Sequence, residues 1–297
     1  MLWAVFTLLT VLFWGIGNVI DKIMIAKIMK NPLSYFILTT IYQSFFILLI
    51  FLVVQPVFNL NLFLLSIVSG FLGSLAFLFY LFSLQLEDVS KIIPLSYLGN
   101  IFTVIFSYFL LKETFGIVKY FGIALLITGA IILSYKKSKH GSLELTPAIV
   151  YILLSCIVFA AGTVFNKYVL NFIDPLTLVI WGMLGGYIIP CILIFKSKIR
   201  IDFLKIIKIK NKFHLIAAFN QMFSVLGFIA LLIALSLGTA TLVSSLSVVK
   251  PLVILLLTVT LSIFFPKILK EDLNRKNMTI KIFSIILIMI GALITII

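Results

Sequence analysis

Gly17-Asn18-Val19-Ile20-Asp21-Lys22, near the end of the first long apolar stretch, returns as Gly162-Thr163-Val164-Phe165-Asn166-Lys167 near the end of the sixth. A short turn follows in both places, Asn31-Pro32-Leu33-Ser34 and Asp174-Pro175-Leu176-Thr177. Each opens the next apolar stretch with a proline, whose missing N–H is harmless at a helix start. Further along, Leu81-Phe82-Ser83-Leu84-Gln85-Leu86 matches Leu232-Ile233-Ala234-Leu235-Ser236-Leu237, Leu111-Lys112-Glu113 matches Leu269-Lys270-Glu271, and Gly129-Ala130 matches Gly291-Ala292. The same landmarks in the same order mean that one unit is written twice.

Composition says where that unit lives. Across 297 residues, 63% are hydrophobic and 11% charged, and the mean hydropathy is +1.30. That is too little polar surface to cover a soluble globule. Apolar stretches of about 20 residues, each able to cross a ~30 Å hydrocarbon core as a helix, are predicted near 2–25, 33–54, 62–84, 89–111, 118–135, 147–170, 175–195, 213–237, 239–265 and 280–297. The expected fold is an all-α membrane protein of ten transmembrane helices. A repeat with an odd number of spans inserts its second copy upside down, so the halves are two inverted five-helix repeats about an axis in the membrane plane. The domain reading is 1–135 for the first repeat, 136–146 for a charged linker and 147–297 for the second.

Cys156 and Cys191 lie within apolar stretches without metal or disulfide spacing and read as inert small hydrophobes. The first apolar run has no basic residues before it and Lys22, Lys27 and Lys30 after it, the reverse of a secretory signal, so the first helix is expected to stay. The formal net charge of +14 is lopsided. With the connections assigned to alternate sides, only Lys112, Lys119 and Lys167 fall on one side and Lys250 falls within a span, while all the other Lys and Arg share the opposite side. The positive-inside rule makes that side cytoplasmic and puts both termini outside. Residues 200–212 mix apolar and basic positions closely enough to lie among anionic headgroups. A basic loop tethered at both ends to membrane spans needs no nucleic acid to explain it.

These landmarks resemble those of the drug/metabolite transporter superfamily, and within it the EamA-type ten-helix transporters. Phe13-Trp14-Gly15 with Lys22, the double Leu-Lys-Glu before a glycine-containing last helix, and Ser245-Leu246-Ser247-Val248-Val249-Lys250-Pro251-Leu252 carry the resemblance, which covers essentially the whole chain. It implies a substrate cavity lined by spans three, four, eight and nine. The chain departs from its relatives at Thr39 and Gly182, where many carry Arg, and at Asn100, which replaces a usual proline. No relative's substrate therefore transfers to it. The family's usual topology, with both termini inside, also conflicts with the charge bias.

A polar side chain in mid-membrane lacks water and turns toward the bundle or a cavity. Lys250 is the strongest case, too deep in span nine to snorkel, with Pro251 freeing a carbonyl near Ser247. It reads either as a counter-charge or proton-linked switch for a substrate, or as a structural lysine bonded to helix carbonyls. Asp21, whose repeat mate is the neutral Asn166 and which has Asn18 one turn earlier on the same face, is a coupling candidate, against an interfacial Asp that caps or pairs with nearby lysines. Candidate substrate contacts are Lys250, Tyr97, Asn100, Gln43, Tyr42, Trp181, Asn220, Gln221 and Ser247, alongside Thr103, Ser224, Ser244 and Ser245. A lone serine in such a helix commonly bonds its own backbone.

Neither His140 nor His214 lies at metal or triad spacing, and no Gly-rich phosphate loop is present. The expectation is no enzyme, no cofactor and no metal. The expected function is secondary, non-ATP transport of a small polar metabolite by alternating access in the plasma membrane, with proton coupling left open. Its partners would be that small molecule and a bilayer with anionic headgroups, in a monomer or homodimer. A lipid-handling or accessory membrane protein is the alternative.

Overall fold

The computed structural model of the protein describes residues 1–27, 31–86, 92, 95–134, 147–209, 211–264 and 275–296. Among these the regular structure is helical throughout: α1 (Leu2–Lys27), α2 (Pro32–Val53), α3 (Leu60–Leu86), α4 (Leu98–Phe106) running into a π-helical turn (Ser107–Leu111), α5 (Ile117–Ser134), α6 (Pro147–Val169), α7 (Pro175–Gly186), α8 (Ile188–Leu193), α9 (Ser197–Ile207), α10 (Asn211–Leu237), α11 (Ala240–Ser247), α12 (Lys250–Phe264) and α13 (Arg275–Ile296). Among the described residues seven spans are long and apolar enough to cross a membrane, and the shorter apolar helices Leu98–Leu111, Ile117–Ile132 and Ile282–Thr295 accompany them. The linker, the second Leu-Lys-Glu and the start of span four lie outside the described residues.

The two proline turns cap helices as their sequence requires. Asn31 accepts from the Leu33 N–H at 3.1 Å. Asp174 accepts from the N–H groups of Leu176 and Thr177, both at 3.0 Å, and each proline sits in the first turn that follows.

Two spans expected as continuous helices are broken. The seventh divides at Tyr187, because Pro190 cannot donate to the Gly186 carbonyl. The Ser74 hydroxyl donates to that freed carbonyl at 2.8 Å, supplying the bond that lipid could not. The ninth divides at Val248 and Val249, one turn before Pro251, for the same reason. A third difference is in the basic connection. Residues 197–207 form a helix rather than a loop, with Ile199, Phe203 and Ile206 on a buried face at helical spacing. The Ser34 hydroxyl and the Asn31 amide anchor it, to the Ile199 carbonyl at 3.1 Å and to Asp202 at 3.2 Å.

Packing crosses between the halves. α1 lies on α10, and its counterpart α6 lies on α3. α3 packs on α7 as α10 packs on α2, and α4 on α6 as α11 and α12 pack on α1. α5 meets its own counterpart α13. Small residues make the close approaches possible, as membrane helices require in the absence of a hydrophobic drive between them. A Cβ on Gly70 would stand 1.6 Å from the Gly182 carbonyl oxygen, and one on Gly185 would stand 1.9 Å from that of Ile67. In the α5–α13 seam a Cβ on Gly291 would stand 2.7 Å from the Gly122 carbonyl oxygen.

Candidate functional site

The repeated Gly-x-x-x-Asp/Asn-Lys motif is a clamp between halves. In the first copy, Asp21 Oδ1 accepts from the Tyr35 hydroxyl and from the Asn220 amide, both at 2.5 Å, and the Asn220 amide also reaches the Tyr35 oxygen at 3.1 Å. In the second copy, Asn166 Oδ1 accepts from the Ser69 hydroxyl. The alignment that matches span three to span eight pairs Ser69 with Asn220, so these contacts are mates under exchange of the halves. The lysine of the motif makes a separate contact. Lys167 donates to the Leu235 carbonyl at 2.7 Å, a cation at the C-terminal end of α10. Its mate Lys22 has its side chain outside the described residues. Asp21 thus meets Tyr35 and Asn220, whereas Asn18, expected beside it, is exposed.

The Leu-Lys-Glu landmark is a cap of the same kind. Lys112 takes the left-handed conformation, with φ of 57°, and turns the chain back after the π-helical turn. Glu113 then reaches the other half and accepts from the N–H groups of Ala240 and Thr241 at 2.8 and 2.9 Å. It satisfies donors at the start of α11 that have no partner within their own helix.

Lys250 is partly buried at the start of α12. Among the described residues it pairs with no carboxylate, and its ammonium sits over the Trp14 ring, 5.9 Å from the centroid. That indole is held in turn by a bond from Nε1 to the Ser224 carbonyl at 3.2 Å. Nearby in the chain, Ser244 donates to Asn100 Oδ1 at 2.7 Å, joining spans four and nine, and the Asn100 amide donates to the Tyr97 carbonyl at 3.0 Å. Ser107, Thr241 and Ser245 on the same two spans have buried hydroxyls that no described residue satisfies.

The other candidates are dispersed. Tyr97 is buried in an apolar cluster with Leu126, Val248 and Ile288. Ser247 bonds the Val243 carbonyl of its own helix at 2.8 Å, the local bond open to any helical serine. Tyr42 bonds His214 Nδ1 at 2.6 Å, Gln221 is buried on α10 and Gln43 is half-buried. Trp181 donates to the Val57 carbonyl at 3.2 Å among Phe51, Phe58 and Phe63. It lines a cleft of about 220 Å³ between α2 and α7 that also includes Ser44, Phe51 and Tyr187 but neither Lys250 nor Asn100. Sequence reasoning missed Tyr35 and Trp14. The signal for Tyr35 was its position just beyond Pro32, where the other repeat has Leu178.

Comparison with known proteins agrees with this architecture. A solved crystal structure overlays with a TM-score of 0.74, covering 98% of this chain and 95% of that one at 15% identity, which speaks for the fold alone. An uncharacterized protein of Methanocaldococcus jannaschii is 32% identical over 129 residues, or 43% of this chain and 92% of that protein. The model of the EamA-like transporter family matches twice, over residues 1–135 and 146–297. With both copies of the repeat matched and the apolar helices in place, the chain is a multi-pass integral membrane protein and belongs to the EamA-like transporter family.

Proposed function

We propose that the protein is a secondary transporter of a small polar metabolite, anionic or zwitterionic, working by alternating access between two inverted five-helix repeats that together make ten spans. The observation that carries the reading is Lys250: a cation within a membrane span, held over an aromatic face from the other half and matched to no carboxylate among the described residues. The bond between Asn100 and Ser244 and the unpartnered hydroxyls of Ser107, Thr241 and Ser245 support a polar lining between spans four and nine. The exchanged helix contacts support the inverted relation. The expected test result is that some anionic or zwitterionic metabolite raises the melting temperature of the purified protein. A ligand at 100 times its dissociation constant stabilises by about 2.7 kcal/mol. A lipid-handling role is the second reading, favoured by the cleft between α2 and α7. Stabilisation by lipids alone, with no response to any soluble metabolite, would select it.

The charge bias supports a cytoplasmic position for α9, with Lys198, Arg200, Lys205 and Lys208 exposed toward anionic headgroups and both termini outside. A reporter active only in the cytoplasm, fused to the C-terminus, is expected to stay dark. A bright fusion would show that the usual family topology had overridden the bias.

A further inference from the structure

We propose that Asp21 is a proton-binding site that bridges the two halves: a proton taken up on Oδ2 is donated to Asn220 Oδ1 and closes a cyclic acid–amide pair between α1 and α10. Asn220 Oδ1 is buried and receives no hydrogen bond from any described residue, although its amide nitrogen donates to Asp21 Oδ1 at 2.5 Å. This orphaned oxygen lies against α1, since a Cβ on Gly17, one turn before Asp21, would stand 3.2 Å from it. Both donors that reach Asp21 arrive on Oδ1, which leaves Oδ2 as the oxygen able to carry a proton toward the orphan. A protonated carboxyl offers one donor and one acceptor, the combination that an amide carbonyl and N–H complement. Turning the amide over leaves the need for a proton and changes only its place, because the amide oxygen would then face Asp21 Oδ1 at 2.5 Å with the proton between those two oxygens.

Among the described residues the surroundings supply no cation to compensate Asp21. Tyr35 and Asn220 are neutral donors, Tyr80 on α3 is a further titratable group that feels the charge of Asp21, and His214, further up α10, is bonded to Tyr42. Lys250, on α12, sits over Trp14, two turns back along α1. Among the described residues no cation pairs with Asp21, and an unpaired carboxylate within a membrane bundle is costly. The second repeat holds the matching place with an uncharged side chain, Asn166, bonded to Ser69. The first repeat becomes its equivalent when Asp21 is neutral.

In chemical terms, one O–H bond forms on Oδ2 with a proton drawn from water, and the same bond breaks to return it. Separation of α1 from α10 would uncover the carboxyl and let the proton leave. A role in coupling rests on the transport reading above; proton binding itself does not.

The test uses the full-length purified protein in lipid nanodiscs and infrared difference spectroscopy, with no substrate. As the pH is lowered from alkaline to mildly acidic, the wild type is expected to gain the carbonyl stretch of a protonated carboxyl group, shifted in D2O and absent from Asp21→Asn. That variant copies Asn166 and should fold. Tyr35→Phe is expected to move the band to higher frequency, because the acid's carbonyl oxygen loses a donor. The proposal is overturned if the wild type and Asp21→Asn have the same spectrum in that region, or if Tyr35→Phe leaves the band unmoved. It is also overturned if sodium chloride, but not choline chloride, raises the melting temperature of the wild type and not of Asp21→Asn, since the site would then hold a metal cation. Failure on any of these counts leaves the transport reading standing. A protein that binds the proton at Asp21 yet moves no metabolite in liposomes would remove the transport reading alone.

Discussion

Gly70→Val and Gly185→Val are each expected to abolish the folded protein. Overpacking in an ordinary core costs about 1–3 kcal/mol, because side chains and backbone can shift to make room. In the α3–α7 seam the obstacle is backbone: the first added carbon would lie 1.6 Å from the Gly182 oxygen for residue 70 and 1.9 Å from the Ile67 oxygen for residue 185. Relief requires the two helices to separate, which also takes Ser74 from the Gly186 carbonyl freed by Pro190. The cost should therefore exceed about 3 kcal/mol, a large share of a total stability of roughly 5–15 kcal/mol. Gly73→Ala is the control, with nothing within 4 Å of an added Cβ and a gain of about 1 kcal/mol in helix propensity. Size-exclusion profiles and thermal unfolding in detergent give the readout. A Gly70→Val protein that melts at the wild-type temperature would refute the described contact.

Lys250→Met is expected to abolish transport and leave the fold intact. If the ammonium balances substrate charge, its loss removes about 2 kcal/mol or more of binding, roughly 30-fold in affinity. Met fills similar volume without a charge to bury, so the melting temperature should hold or rise. Lys250→Arg retains part of the rate if charge alone matters and loses it if the residue must release a proton, since Arg does not titrate in proteins. Uptake into proteoliposomes, measured beside the melting temperature, separates this role from the structural one. A lysine that merely bonded helix carbonyls would show the opposite pattern, lower stability with normal uptake.

Both outcomes turn on features that were legible to different degrees. The duplicated landmarks and their apolar stretches were enough for a membrane bundle built from one unit used twice, because lipid leaves the backbone few options and the repeat is written in side chains. Pro190 and Pro251 were equally visible, and the breaks in spans seven and nine follow from the missing N–H, although the sequence did not say which hydroxyl would satisfy the Gly186 carbonyl. The basic connection was read as a loop among the headgroups, and its helix at 197–207 emerges only when Ile199, Phe203 and Ile206 are given a surface to bury against.

The candidate site was readable only in part. The sequence by itself marked Lys250 as lying where lipid would not tolerate it uncompensated, and left Asp21 open between a coupling role and an interfacial one, since hydropathy places Lys250 deep in its span and Asp21 near the end of its own. Only the tertiary structure decided what compensates them. Trp14 lies under Lys250, and Asn220 comes to Asp21 from the other half, because helices of one half pack on those of the other and bring together residues far apart in the chain. The same packing left Trp181 in a separate cleft and returned Ser247 to its own helix. Hydropathy is a property of each span alone, whereas a polar contact depends on which faces of two spans meet, and that is fixed by the glycine seams and caps that set the helices against one another.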